Sequence, residues 1–113
     1  MLFRSSDIRP TEPLSYIEFM NLITGCALAV TDSGGVQEET TYLGIPCATL
    51  RENTERPITL TEGTNRLLKP SGLVAAAKEA LRGQWRAGKR PALWDGHAAD
   101  RAAVSLRKLL CPA

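Results

Sequence analysis

Apolar positions in this chain change spacing several times, and each change marks an element. After Ser15, a suitable N-cap, Ile17, Met20 or Asn21, and Ile23 or Thr24 recur at helical intervals, with Tyr16, Phe19 and Leu22 beside them. Gly25 ends that helix. "CALAV" (26–30) is a continuous apolar run and reads as a buried strand. A helix is predicted from Gly35 to about Leu43, stopped by Gly44 and Pro46. "CATL" (47–50) is the next strand, "RENTERP" (51–57) a polar loop and "ITLTEG" (58–63) a single helical turn. "NRLLK" (65–69) reads as a short strand, followed by punctuation at Pro70-Ser71-Gly72. Residues 72–82 are alanine-rich and helical, and residues 82–96 form a loop. A last helix over 97–110 gathers Ala99, Ala102, Ala103, Leu106, Leu109 and Leu110 on one broad side. Ahead of all these, "IRPTEPL" (8–14) opens like a short strand and breaks at Pro10 and Pro13.

The order is therefore strand, helix, strand, helix, strand, strand, helix, helix. Continuous apolar strands separated by helices predict an α/β protein with a parallel sheet covered on both faces. The 113 residues fit one small domain. No repeat or low-complexity stretch interrupts them.

Composition narrows the function classes. A net charge of +2, with its excess downstream of Arg82, falls short of the basic face of a nucleic-acid binder. No apolar run reaches the about 20 residues of a membrane span, and the start lacks a signal-peptide core. The expectation is a cytoplasmic protein with neither nucleic acid nor membrane as partner. Cys26, Cys47 and Cys111 are odd in number and contain no C-x-x-C pair, which argues against a structural metal or redox site. Cys26 and Cys47 are expected to be buried thiols. With one histidine, His97, no second histidine exists to build a metal site.

The chemistry-bearing stretch is "TDSGGVQEE" (31–39). It lies where the "CALAV" strand gives way to a helix, at the edge where open α/β sheets hold ligands. Gly34 and Gly35 let backbone N–H groups approach an anion, and a helix N-terminus favours negative charge. Ser33 adds a hydroxyl donor, so the stretch can cradle a diphosphate without a Walker lysine. A tight turn accounts for the same glycines. Glu38 and Glu39 stabilise a helix start, or one of them accepts hydrogen bonds from a ribose diol. "RENTERP" faces the same edge, where Arg56 or Arg51 can clamp a phosphate or merely pair locally. His97 reads as part of a helix-capping turn, and Trp85 and Trp94 as residues packing loops onto the core.

Taken together, "EPLSYIEFMNLI" (12–23), "VTDSGGVQEETTYLGIPCATLRENTERP" (30–57), "EGTNRLL" (62–68) and "WDGHAADR" (94–101) resemble the C-terminal part of non-hydrolysing UDP-N-acetylglucosamine 2-epimerases. The resemblance implies a partial Rossmann-like parallel sheet, the C-terminal half of a two-domain GT-B-type fold with UDP-GlcNAc in its cleft. Such enzymes invert C2 of the sugar by eliminating UDP and adding it back, so the resemblance implies that no metal or redox cofactor is needed. Position by position, the resemblance gives Ser33, Gly34 and Gly35 to the diphosphate turn and Glu39 to the ribose hydroxyls. Arg56 matches an arginine of the nucleotide site and Phe19 a position in the uridine pocket. Leu14 stands where some members carry a polar ligand contact. Glu38 keeps its helix-start role.

The family's acid/base carboxylates and catalytic-site histidine belong to a part not matched here, and His97 does not inherit that role. No catalytic residue is therefore assigned, and the chain alone is expected not to epimerise UDP-GlcNAc. It reads as a truncation, a split-enzyme half whose partner chain supplies the N-terminal domain, or a repurposed module. The alternative function is a non-catalytic nucleotide-sugar-binding or interaction module. Strands expected in mid-sheet are also unmatched, which predicts a gap between "IRPTE" and "CALAV". The last helix is expected to expose its apolar side and invite self-association or a partner.

Overall fold

A computed structural model describes residues 7–112. The ends of the expected 1–113 domain lie outside that range. Its elements are α1 (Tyr16–Gly25), β1 (Ala29–Thr31), α2 (Gly34–Leu43), β2 (Cys47–Thr49), α3 (Pro57–Thr61), β3 (Asn65–Leu67), α4 (Leu73–Leu81) and α5 (Ala98–Leu110). A 3-10 turn at Pro70–Gly72 precedes α4. The strands form one parallel sheet in the order β1-β2-β3, with Ala29 opposite Cys47 and Cys47 opposite Asn65. The architecture is the α/β parallel sheet the sequence predicts.

Local chemistry accounts for the element ends. At α1 the Ser15 hydroxyl accepts from the Glu18 amide, and the Glu18 carboxylate takes the Ser15 N–H at 3.0 Å. These reciprocal bonds satisfy two otherwise orphaned donors. Hydrogen bonds from the Ser15 hydroxyl and amide hold the Glu18 carboxyl below its usual range. Gly44 closes α2 in the left-handed region, at φ 74°, which costs a glycine little.

Three boundaries depart from expectation. The "IRPTE" strand does not form: residues 8–14 are exposed and outside the sheet, and two prolines deprive the segment of ladder donors. The strand predicted over 26–30 forms at Ala29–Thr31. The Cys26 amide is used to close α1 on the Ile23 carbonyl, so Cys26–Leu28 carry the chain out of the helix. Cys26 is accordingly only partly buried, whereas Cys47 is fully buried. Helix α2 begins at Gly34, one residue early.

The sheet is covered on two faces by different chemistry. Side chains alternate along a strand, so Ala48 points one way and Cys47 and Thr49 the other. On the Ala48 face, α4 supplies Ala76 and Ala80, the following loop supplies Trp85, and Leu28, Leu68 and Leu73 pack around them. The Trp85 indole N–H donates to the Thr64 carbonyl at 2.7 Å, and Arg66 stacks 4.0 Å above the ring. On the other face, α2 and α3 present Gln37, Thr40, Thr41 and Thr59, all buried, to Thr49 and Asn65. Helix α5 buries none of its residues, and Val104, Leu106, Leu109 and Leu110 are exposed, as anticipated for its apolar side.

Candidate functional site

The carboxyl ends of β1 and β2 lead into the Ser33–Gly35 turn and the 51–57 loop, so both segments share one edge of the parallel sheet. Ser33 is the N-cap of α2, yet its hydroxyl makes no capping bond and the residue is exposed. Its own N–H is held by Thr31 Oγ1 at 3.0 Å. The helix thus starts with no N-cap side-chain bond to its first-turn amides, an arrangement that can receive an anion.

The loop lies against this turn. A Cβ at Gly34 would come within 2.6 Å of Glu55 Oε1 and 3.7 Å of the Arg56 guanidinium carbon. Gly34 is therefore where the chain brings the Glu55 carboxylate, and just beyond it the Arg56 guanidinium, next to the helix start. Gly35 differs: a Cβ there would meet only Ser33 Oγ, at 3.9 Å. Among the described residues nothing demands a glycine at that position.

Arg56 is aimed by Glu38, whose Oε1 lies 2.6 Å from Arg56 Nε. This corrects the helix-start role given to Glu38. With α2 starting at Gly34, no acidic residue occupies its first turn, and dipole effects fade beyond that turn. The pair is more than a third exposed at both ends, so it adds little to stability and matters for geometry. Arg51, the other arginine considered, pairs with Glu55 at 2.9 Å. Hydrogen bonding from Arg51 is the main reason the Glu55 carboxyl is held below its usual range.

Glu39 turns to α1. The Tyr16 hydroxyl hydrogen-bonds its carboxylate, which raises the tyrosine pKa, and the negative charge raises it further. Between these helices is a hollow of about 390 Å³, lined by Tyr16, Met20, Tyr42, Leu43 and Trp94 together with Glu38 and Glu39. Trp94 lines this hollow beside α1 and α2, and Trp85 packs its own loop onto the apolar face. Phe19 is half-buried on α1 and does not line the hollow. Ser33, Gly34 and Arg56 are brought together; Glu39 is on the same helix facing α1, and Phe19 is on α1.

His97 caps α5, with Nδ1 3.1 Å from Asp100 Oδ2 in an exposed pair. Beside it, Asp95 takes two hydrogen bonds from Arg101 and one from the His97 amide, and its pKa falls to about 2. Burial raises the pKa of the Cys47 thiol, as it does for Cys26, so neither is activated as a nucleophile. Among the described residues no three His, Cys, Asp or Glu side chains converge on a metal-sized site. No described helix is long and apolar enough to cross a membrane.

The residues missed by sequence reasoning lie underneath. Gln37 is fully buried, and its Oε1 accepts from Thr54 Oγ1 at 2.6 Å and Asn65 Nδ2 at 3.0 Å. Asn65 also donates to Thr59 Oγ1 at 3.1 Å and accepts from Thr49 Oγ1 at 2.6 Å. No short motif announces this network, because its members are 6 to 28 residues apart.

Known proteins share this fold. The sequence model of the family described as UDP-N-acetylglucosamine 2-epimerase matches residues 1–107. The UDP-N-acetylglucosamine 2-epimerase of Methanococcus maripaludis is 53% identical over 58 residues, 51% of this chain and 16% of that protein. The UDP-2,3-diacetamido-2,3-dideoxy-D-glucuronate 2-epimerase of Pseudomonas aeruginosa is 33% identical over 110 residues, covering 91% of this chain and 29% of the relative. The crystal structure of the Methanocaldococcus jannaschii UDP-GlcNAc 2-epimerase in complex with UDP-GlcNAc and UDP superposes with a TM-score of 0.79 at 39% identity. That superposition covers 91% of this chain and 28% of that one. The chain thus spans less than a third of the length of these relatives. With a family match over nearly all its residues and a shared fold, it belongs to the UDP-N-acetylglucosamine 2-epimerase family.

Proposed function

We propose that this chain binds UDP, free or as part of UDP-GlcNAc, as the nucleotide-holding portion of a 2-epimerase with the two-domain GT-B-type fold. The diphosphate lies on the Ser33–Gly34–Gly35 turn and is clamped by Arg56. Glu39 accepts the ribose hydroxyls, and Phe19 contributes to the uracil pocket. The observation that carries this reading is the start of α2, with no capping bond from the Ser33 hydroxyl and with the Arg56 guanidinium beside its first glycine, next to the Glu55 carboxylate that an incoming diphosphate would displace. A fork of N–H donors beside open helix amides suits a doubly charged diphosphate better than a single carboxylate. The Methanocaldococcus jannaschii neighbour, solved in complex with UDP-GlcNAc and UDP, supports the same choice of ligand.

In the full reaction this portion would hold the leaving group. Elimination of UDP from UDP-GlcNAc and its re-addition at C1 both need the diphosphate kept in place while C2 changes configuration. Negative charge grows on the leaving diphosphate as the C1–O bond breaks, and prearranged donors stabilise that charge. The acid/base groups are not proposed from this cluster: Glu38 is paired with Arg56 and Glu55 with Arg51. Residues 1–113 act in this reading as one partial UDP-binding domain, not competent for epimerisation alone. A separate chain or self-association, with the exposed apolar side of α5 as the available surface, would complete the site.

Calorimetric titration of UDP into the chain and into Arg56→Met tests the binding. Saturable binding that weakens about tenfold or more in the variant is expected, the scale of a lost charge-assisted contact. Equal affinities would remove Arg56 from the site, and no heat in either would remove the function. An assay for UDP-ManNAc formation by the same pure chain is expected to stay at background.

A further inference from the structure

We propose that Gln37 is a positioning residue: it sets the place of Arg56 relative to the α2 turn through the hydroxyl of Thr54. The functional half of this inference rests on the diphosphate reading above; the structural half does not.

The connectivity runs through Gln37 Oε1, while its buried Nε2 has no partner among the described residues. Gln37 is one turn into the helix that begins at the Ser33–Gly35 turn, with its side chain fully buried. The Thr54 hydroxyl donates its proton to Gln37 Oε1 at 2.6 Å, so its oxygen is left to accept the Arg56 N–H at 3.0 Å. A second line reaches the other side of the same residue. Asn65 Nδ2 donates both to Gln37 Oε1 and to Thr59 Oγ1, and the Thr59 hydroxyl donates to the Arg56 carbonyl at 2.7 Å. Arg56 is therefore pinned at its amide and at its carbonyl, and both lines meet at one oxygen of Gln37. The Arg56 side chain then returns to Glu38, the next residue of α2. A ring of contacts runs from the helix through Gln37, Thr54 and Arg56 back to the helix.

The residue type matters. The site needs a neutral oxygen that accepts two hydrogen bonds in a water-free position. Methionine offers similar length without an acceptor. Its presence would leave Thr54 and Asn65 donors unmatched, and buried donors without acceptors move or open rather than stay. The loop carrying Arg56 is the part free to move, because the sheet amides are held by the strand ladder.

The test compares the full chain with Gln37→Met, Thr54→Val and Thr54→Ser, reading amide hydrogen exchange and the affinities for UDP and uridine. In Gln37→Met, the Arg56 amide is expected to exchange about tenfold faster while the Leu68 and Ala29 sheet amides keep their rates. UDP affinity is expected to fall about tenfold and uridine affinity to hold, since only the phosphate end depends on Arg56. Thr54→Val should repeat the UDP loss, and Thr54→Ser, which keeps the hydroxyl, should restore the original values. An unchanged Arg56 amide in Gln37→Met, or equal acceleration of all amides, would overturn the coupling. Should Gln37→Met fail to fold, the Thr54 pair decides: a Val variant that binds UDP as tightly as the original overturns the inference. A chain that binds no UDP at all defeats the diphosphate reading, and the exchange rates still decide the coupling.

Discussion

The two faces of the sheet differ in what they are built from and in what they do. On the α4 face, Ala48, Ala76, Ala80 and Trp85 form a small apolar cluster. On the α2 face, Gln37, Thr40, Thr49, Thr59 and Asn65 are just as buried but polar. Apolar burial is non-directional and supplies most of the folding free energy. A buried hydrogen bond has a modest net value but a demanding geometry. The apolar face therefore holds the strands together, and the polar face holds the Ser33–Gly35 turn and Arg56 at a defined separation. Stability and site geometry are assigned to opposite sides of a sheet whose strands are three residues long.

The strongest way to break that division is Trp85→Ala. The indole is 9% exposed, donates to Thr64 and carries Arg66 on its face. Loss of about 3–5 kcal/mol is expected, a large share of a small domain's total stability. Thermal denaturation should show the transition collapsing, with fold and ligand binding lost together.

Asn65→Leu strikes the polar face instead. It removes three hydrogen bonds but keeps a side chain of similar volume. About 1–3 kcal/mol is expected in denaturant titration, from partners left unpaired. The chain should stay folded but lose UDP affinity, a separation the Trp85 variant cannot show.

Gly35→Ala sharpens the contrast further. The added Cβ has open space, and alanine is favoured over glycine within a helix by about 0.5–1 kcal/mol. Stability should hold or rise slightly in thermal melts while UDP binding weakens, because only a ligand approaching the backbone meets the methyl group.

The smallest effect lies away from both faces. Asp95 has its pKa lowered from 3.8 to about 2, chiefly by Arg101, which also donates to the Leu93 carbonyl at the foot of α5. A depressed carboxyl pKa stabilises the fold above pH 3.8, and that contribution is lost as pH falls towards 2. NMR of α5 amides across this window should show loosening at the helix start, with little change in the sheet.

Much of the fold is legible in the chain because its signals are local. Ser15 and Glu18 announce α1, Gly44 closes α2, and the apolar runs mark β1 and β2 to within a few residues. The Ser33–Gly35 turn and Arg56 are legible for the same reason, as short motifs at the ends of strands. The opening strand is misread because "IRPTE" carries β-like residues but no ladder to join, and its prolines decide. The polar face is illegible: Gln37, Thr40 and Thr41 give α2 a buried side that hydropathy reads as solvent-facing. Their partners are fixed only once α2, α3 and two strands meet. Glu38 is misread for a related reason, since its partner is 18 residues on and the boundary of α2 had first to move to Gly34.

The most direct test of the central claim is an amide NMR titration of the full chain with UDP. Shifts confined to the surroundings of Phe19, Ser33–Glu39 and Thr54–Arg56, with the Ala48, Ala76 and Ala80 amides still, are predicted by the proposed nucleotide site. Shifts centred elsewhere, or a dispersed spectrum that UDP does not alter, would contradict it.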